Sequence, residues 1–201
     1  LIGVTAAHVI RKLQSDLENN QITIQFGDVV IDNLNDLLID ISDAYDLATM
    51  AIEEGSIYHM GKTITPLTLW PPKPPQEGKG IMIGGYPGRE RIEHGNLTVI
   101  FGLFTALVVA RTVTNTNITW LLEPEHQIKN SKIPPPPEKY DFGGVSGGPL
   151  IGWFESDNFI SHYCLSGIVI EHPDYEKSDF SIERLIAVRA DLINSSGRIH
   201  D

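Results

Sequence analysis

The stretch that decides the fold is Leu97–Ala110, which reads LTVIFGLFTALVVA. It is rich in β-branched and aromatic residues, a composition typical of β-strands. Four further stretches of the second half share this composition and are separated by glycine, asparagine or proline: Ile81–Tyr86, Thr116–Leu122, Pro149–Phe154 and Tyr163–Ile170. Short strands with frequent turn signals predict an all-β sandwich or barrel.

The N-terminal part is also expected to begin with a strand. Residues 1–10, LIGVTAAHVI, are apolar and predict a buried strand that runs into a turn. A short helix is expected over Val9–Asn19, followed by a strand over Gln21–Val30. Tyr45–Ile52 is interpreted as a further strand or a short turn.

A proline-rich stretch separates the two parts of the chain. Residues 70–75 read WPPKPP, which can form neither a strand ladder nor a helix. We interpret residues 71–80 as a stiff linker between an N-terminal domain over 1–70 and a C-terminal domain over 81–201. A surface loop within one domain fits the composition equally well. Leu185–Ile193 predicts a last strand that passes into a short terminal helix.

Composition and charge restrict the class of protein. The 201 residues are 41% hydrophobic and 20% charged, which is the balance of a globular protein. The 15 Lys and Arg residues against 26 Asp and Glu give a net charge of −11, so we expect no nucleic-acid partner. No apolar run approaches the roughly 18 residues of a membrane span. The single cysteine, Cys164, excludes an internal disulfide and a thiolate-rich metal site and favours a reducing compartment such as the cytoplasm.

Three short motifs point to a specific chemistry: TAAH at 5–8, DLA at 46–48 and GVSGGP at 144–149. A serine nucleophile needs a base within hydrogen-bond reach and a carboxylate that fixes the tautomer of that base. An imidazole suits the role of base because its unperturbed pKa lies near neutrality. Small residues around Ser146 permit a tight turn and leave the amides of Gly144 and Ser146 free to face a developing oxyanion.

In these motifs the chain resembles the trypsin-like, chymotrypsin-fold serine peptidases, in particular bacterial members. The separations of 38 and 100 residues between histidine, aspartate and serine suit that family. Weaker matches are IGGYPG at 83–88 and LSGIV at 165–169. The resemblance implies two antiparallel six-stranded β-barrels with the active site in the cleft between them. Because only Leu1–Val4 precede TAAH, the first barrel is expected to lack its N-terminal strands.

The resemblance also implies catalytic roles. Ser146 would be the nucleophile, His8 the general base and later the acid, and Asp46 the carboxylate that orients His8. Asp40 and Asp43 lie close by in sequence, but neither is followed by Leu-Ala. The amides of Gly144 and Ser146 would form the oxyanion hole.

Substrate-binding residues follow from the same register. Ile170, Glu171 and His172 would form the cleft edge that pairs with an extended substrate, and Tyr140 would lie near the floor of the primary specificity pocket. The expected partner is a protein or peptide substrate, and the chemistry needs no metal or organic cofactor.

The expected function is therefore a serine endopeptidase that acts through an acyl-enzyme, but one departure from the family keeps an alternative open. Val145 stands where many members have an aspartate that pairs with a newly cleaved N-terminus. No such activation step is expected, so the oxyanion loop must be held by other contacts or ordered by substrate or a partner. Together with the missing strands, this leaves a second hypothesis of a catalytically impaired, peptidase-like binding or sensor module of a larger protein.

Overall fold

The structure is a computed structural model that describes residues 1–19, 24–26, 29–31, 33–59, 70–94, 98–121, 142–155, 161–170 and 184–200. The chain divides into two compact units. Unit 1 comprises Leu1–Pro71 together with Leu192–Asp201, and unit 2 comprises Pro72–Asp191. Strands dominate the described residues, so the expected β-rich class is confirmed. No helix in the described ranges is long and apolar enough to cross a lipid bilayer.

The described part of unit 1 contains a small antiparallel sheet, a hairpin, two α-helices and a 3-10 helix over Leu34–Leu37. Its elements are β1 (Ile2–Ala6), α1 (Ala7–Asn19), β2 (Ile24–Phe26), β3 (Val29–Ile31), β4 (Leu38–Ser42), β5 (Leu47–Ala51) and α2 (Glu54–His59). The sheet has the order β1-β5-β4, and β2 pairs with β3. Ile10 of α1 packs with Leu34, Ala48 and Met50 in the core of this unit.

Three expectations for the N-terminal part need correction. The first strand is only partly buried, because β1 lies at the edge of its sheet and only Ala6 is fully covered. The helix begins at Ala7 instead of Val9, so His8 lies in its first turn and not at the end of the expected strand. The single strand expected over Gln21–Val30 is wrong, since β2 and β3 form an antiparallel hairpin in which Ile24 lies opposite Ile31.

Unit 2 is built on one large antiparallel sheet and a separate hairpin. Its strands are β6 (Gly80–Gly85), β7 (Arg91–His94), β8 (Thr98–Phe101), β9 (Phe104–Val109), β10 (Thr112–Val113), β11 (Asn117–Leu121), β12 (Pro149–Glu155), β13 (Ser161–Ile170) and β14 (Arg184–Arg189). Seven described strands form the sheet in the order β10-β11-β14-β13-β12-β6-β9, and β7 pairs with β8.

The large sheet curls around its own core. Strands β9 and β11 are not neighbours in the ladder, yet they approach each other. Phe104 of β9, Trp120 of β11 and Leu150 of β12 all lie in one buried cluster. A sheet that curls in this way buries one face of every strand, which accounts for the alternating burial along β9.

The strand expected over Leu97–Ala110 is two strands in different sheets, β8 and β9. The break falls at Gly102, whose amide donates to the carbonyl of Glu90 at 3.0 Å and thereby closes the β7–β8 hairpin. A Cβ at Gly102 would lie 3.0 Å from the Cβ of Glu90, so the bend favours glycine.

The chain ends differently from the expected terminal helix. A single 3-10 turn over Ala190–Leu192 follows β14. Ile193 then bridges to Ile199 around a turn in which the Asn194 side-chain oxygen accepts from the amides of Ser196 and Arg198. Before that turn, the hydrogen bond that Arg189 donates to the Asp191 carboxylate raises the pKa of the guanidinium.

Candidate functional site

His8 and Asp46 are brought together by strand pairing in unit 1. β1 runs antiparallel to β5, and Ala6 at the end of β1 lies opposite Leu47 at the start of β5. The residues just beyond these ends must therefore meet. The amide of Ala7 donates to the carbonyl of Asp46 at 3.0 Å, which fixes the start of the helix against the turn before β5.

The Asp46 carboxylate makes two hydrogen bonds with His8. Oδ1 accepts from the backbone amide of His8 at 2.8 Å, and Oδ2 lies 2.7 Å from the ring Nδ1. The first bond satisfies an amide that has no partner within the first turn of α1. A carboxylate can only accept, so the second bond assigns the proton to Nδ1. Nε2 has no hydrogen-bond partner among the described residues, and 41% of the imidazole side chain is exposed.

The two neighbouring acidic residues that compete with Asp46 in the sequence have other partners. Asp43 forms an ion pair with Arg11, at 3.0 Å. Asp40 accepts the amide of Ile199 at 3.0 Å and that of Ile41 at 2.9 Å. Asp46 is thus the carboxylate that contacts the histidine, and it adopts a φ of 51°, a left-handed conformation that aspartate tolerates better than most residues.

Ser146 lies in a tight loop of unit 2, Gly143–Gly148, which we call the serine loop. Gly144 and Gly147 have φ angles of 97° and 86°, which strongly favour glycine. Inside the loop, the amides of Val145 and Gly148 donate to the carbonyls of Phe142 and Val145 at 3.0 and 2.9 Å. These bonds leave the Ser146 side chain partly exposed, and its hydroxyl has no hydrogen-bond partner in the described part of the chain.

The serine loop packs backbone to backbone against the glycine-rich segment Gly84–Gly88. The amide of Gly88 donates to the carbonyl of Gly143 at 2.7 Å. A Cβ on Gly148 would collide with the carbonyl oxygen of Gly84, and a Cβ on Gly85 would lie 2.7 Å from a methyl group of Val145. The glycines of both segments are therefore needed for close approach as well as for turning.

Val145 anchors the serine loop in the apolar core. Its side chain is only 2% exposed and belongs to the same buried cluster as Ile83, Phe104, Phe142 and Leu150. This burial and the backbone bonds hold the described loop in place without an ion pair at position 145.

The backbone amides from Gly144 to Gly148 fall into two groups, those with a hydrogen-bond acceptor and those without one among the described residues. Those of Val145, Gly147 and Gly148 are hydrogen-bonded, that of Gly147 to the carbonyl of Val169 at 2.7 Å. The amides of Gly144 and Ser146 have no acceptor within the described ranges. An oxyanion hole needs two such donors directed at one oxygen atom.

The predicted substrate-binding residues are only partly within the described chain. Tyr140, Glu171 and His172 lie outside the described residues. Ile170 ends β13 and pairs with Ile186 of β14 on one side. On its other side β12 begins only at Pro149, which lies opposite Ile168, so no described strand pairs with Ile170 there. The amide of Gly147 donates to the Val169 carbonyl, and the Val169 amide donates to the Gly148 carbonyl, so this end of β13 lies next to the serine loop.

The sequence did not predict two features. The C-terminal segment returns to unit 1, where the buried Thr49 hydroxyl donates to the carbonyl of Gly197 at 2.6 Å and supports β5, the strand that follows Asp46. Unit 2 also contains a cavity of about 750 Å³ lined by Met82, Leu107, Trp153 and Tyr163, among others, and by no residue of the serine loop. No group of three or more potential metal ligands occurs in the part of the chain that the structure describes.

Comparison with known proteins does not assign a family. No protein-family model matches the sequence, and no curated protein is similar to it.

Proposed function

We propose that the chain is a serine endopeptidase that hydrolyses peptide bonds through an acyl-enzyme intermediate. The observation that carries the proposal is the His8–Asp46 pair: a carboxylate fixes the ring through Nδ1 and leaves Nε2 available to a nucleophile. An aspartate that only capped the helix would not need to bind the ring as well. The serine loop supplies the matching hydroxyl and two amides without acceptors among the described residues.

The proposed mechanism begins with attack by the serine hydroxyl. Ser146 Oγ attacks the carbonyl carbon of the substrate while its proton passes to His8 Nε2, and Asp46 stabilises the imidazolium that forms. The amides of Gly144 and Ser146 donate to the oxygen as it becomes negative. The C–N bond then breaks, and the leaving amine takes the proton from Nε2. A water molecule deprotonated by His8 hydrolyses the remaining ester and releases Ser146.

The finer architecture is part of this proposal. We infer two six-stranded antiparallel barrels with the substrate cleft between them, as the resemblance to trypsin-like peptidases implies. The curl of the large sheet in unit 2 around one core supports the C-terminal barrel. The antiparallel strand pairs of unit 1 support the N-terminal barrel. The side of β13 beside Ile170 that no described strand covers suits an extended peptide that adds to the sheet as a further strand.

The proposal is tested by turnover of an unfolded protein substrate. Wild-type chain is expected to cleave it, and Ser146→Ala is expected to lose cleavage by several orders of magnitude. Ser166→Ala is the matched control, because Ser166 lies in the same unit and its hydroxyl already donates to the Lys73 carbonyl at 3.1 Å. Cleavage that survives Ser146→Ala would refute the assignment.

The alternative of a non-catalytic binding or sensor module is tested with the same proteins. Such a module would bind peptides without cleaving them, and Ser146→Ala would bind them as well as wild type does. The anchored loop and the His8–Asp46 pair favour the enzyme, because peptide binding needs neither a fixed imidazole tautomer nor a paired carboxylate.

A further inference from the structure

The β7–β8 hairpin exposes an unusual amount of apolar surface. Ile92 is 60% exposed, Ile100 51% and Phe101 49%. Ile92 and Ile100 lie directly opposite each other on one face, whereas Phe101 lies opposite Arg91 on the other. A two-stranded hairpin with apolar side chains exposed on both faces is marginal by itself and gains stability from further strands.

The outer edge of β7 has no partner strand among the residues that the structure describes. Among the described residues β7 pairs only with β8, so every second residue of β7 directs its amide and carbonyl away from the hairpin. Unpaired strand edges of this kind are templates for pairing with another chain.

The charges on β7 indicate which chain fits. Arg91 and Glu93 flank Ile92 and form an exposed ion pair within the strand, at 3.3 Å. If two copies of β7 pair antiparallel about a twofold axis at Ile92, each Arg91 lies opposite the Glu93 of the other copy. A twofold axis at Arg91 or at Glu93 would instead set two like charges opposite each other, which is unfavourable. Pairing through β8 instead would have no preferred register, because β8 contains no charged residue.

We propose that the chain forms a symmetric dimer in which the β7 edges of two copies pair about Ile92. The result is a four-stranded antiparallel sheet in the order β8-β7-β7-β8, with a continuous stripe made of Ile92 and Ile100 from both copies. The interface is isologous, so it closes at two copies and does not propagate into a fibre. The dimer does not depend on Ser146 or on the proposed peptidase activity.

Charge reversal tests the register. Arg91→Glu turns both cross-strand ion pairs into repulsive contacts and should raise the dimer dissociation constant by about tenfold or more, as should Glu93→Arg. Sedimentation velocity over a concentration series measures this constant. When the two variants are mixed, every Glu at 91 and 93 of one chain faces an Arg of the other, so a mixed dimer should form. This recovery also shows that both variants are folded.

A cross-link and a control complete the test. Ile92→Cys in a Cys164→Ser background should give a disulfide-linked dimer, because the twofold axis sets the two new thiols side by side. Arg11→Glu on α1 makes the same charge change at another exposed ion pair and should leave the dissociation constant unchanged. A wild-type chain that stays monomeric up to its solubility limit would overturn the proposal. A dimer that Arg91→Glu does not weaken, or variants that do not recombine, would overturn it as well.

Discussion

Replacement of Val145 by aspartate tests how the serine loop is held. Val145 is 2% exposed and packs among Ile83, Phe104, Phe142 and Leu150. Loss of its buried side chain costs about 2 kcal/mol. Burial of a carboxyl group without a partner in an apolar cluster costs a further 2 kcal/mol or more, roughly. We therefore expect Val145→Asp to lower the free energy of unfolding by about 4 kcal/mol.

Urea unfolding, followed by the fluorescence of the buried Trp120 and the other tryptophans, measures this change. With a slope of about 2 kcal/mol per molar urea, the midpoint should fall by roughly 2 M. Val145→Ala leaves a small cavity but buries no charge, so its urea midpoint should fall by about half as much. If Val145→Asp is as stable as wild type, the aspartate has found a partner and the loop is not held by apolar packing.

The other predictions concern the glycines, the histidine partner and the C-terminal segment. Gly148→Ala should destabilise unit 2 by about 2 kcal/mol or more in the same urea assay, because the new methyl group would collide with the Gly84 carbonyl. Gly55→Ala in α2 is the control and should be neutral or stabilising, because nothing lies within 4 Å of the added methyl group. Equal effects of the two substitutions would contradict the close-packing argument. Asp46→Asn should reduce peptide turnover by about 10⁴-fold because it favours the wrong tautomer of His8, while the free energy of unfolding falls by no more than about 1 kcal/mol. Full activity of this variant would exclude Asp46 as the group that orients His8. Thr49→Val should leave the Gly197 carbonyl without its buried donor, which should lower the free energy of unfolding by about 1–3 kcal/mol and make limited proteolysis near residues 192–200 faster. An unchanged rate of proteolysis would show that this hydrogen bond does not hold the C-terminal segment.

The strands of unit 2 were the part of the fold most accessible to sequence reasoning. Stretches such as Ile81–Tyr86 and Tyr163–Ile170 form strands close to the expected bounds because their composition alone favours an extended chain. Leu97–Ala110 does not form one strand, because the chain bends at Gly102. Its role depends on a contact with Glu90, and a one-dimensional pattern does not contain that contact.

The pairing of His8 with Asp46 could be expected only from the resemblance. Asp40, Asp43 and Asp46 are nearly equidistant from His8 in sequence, and the antiparallel register of β1 with β5 decides which of them meets the ring. The return of the C-terminal segment to Thr49 was not foreseen, since it depends on a hydrogen bond between residues 148 positions apart.

Covalent labelling with a fluorophosphonate, mapped by mass spectrometry, tests the central claim most directly. An activated serine reacts with such a probe, whereas an ordinary serine hydroxyl does not. We predict one adduct, on Ser146, that is lost in Ser146→Ala and strongly reduced in His8→Ala. Equal labelling of wild type and Ser146→Ala, or no labelling of folded wild-type chain, would contradict the account.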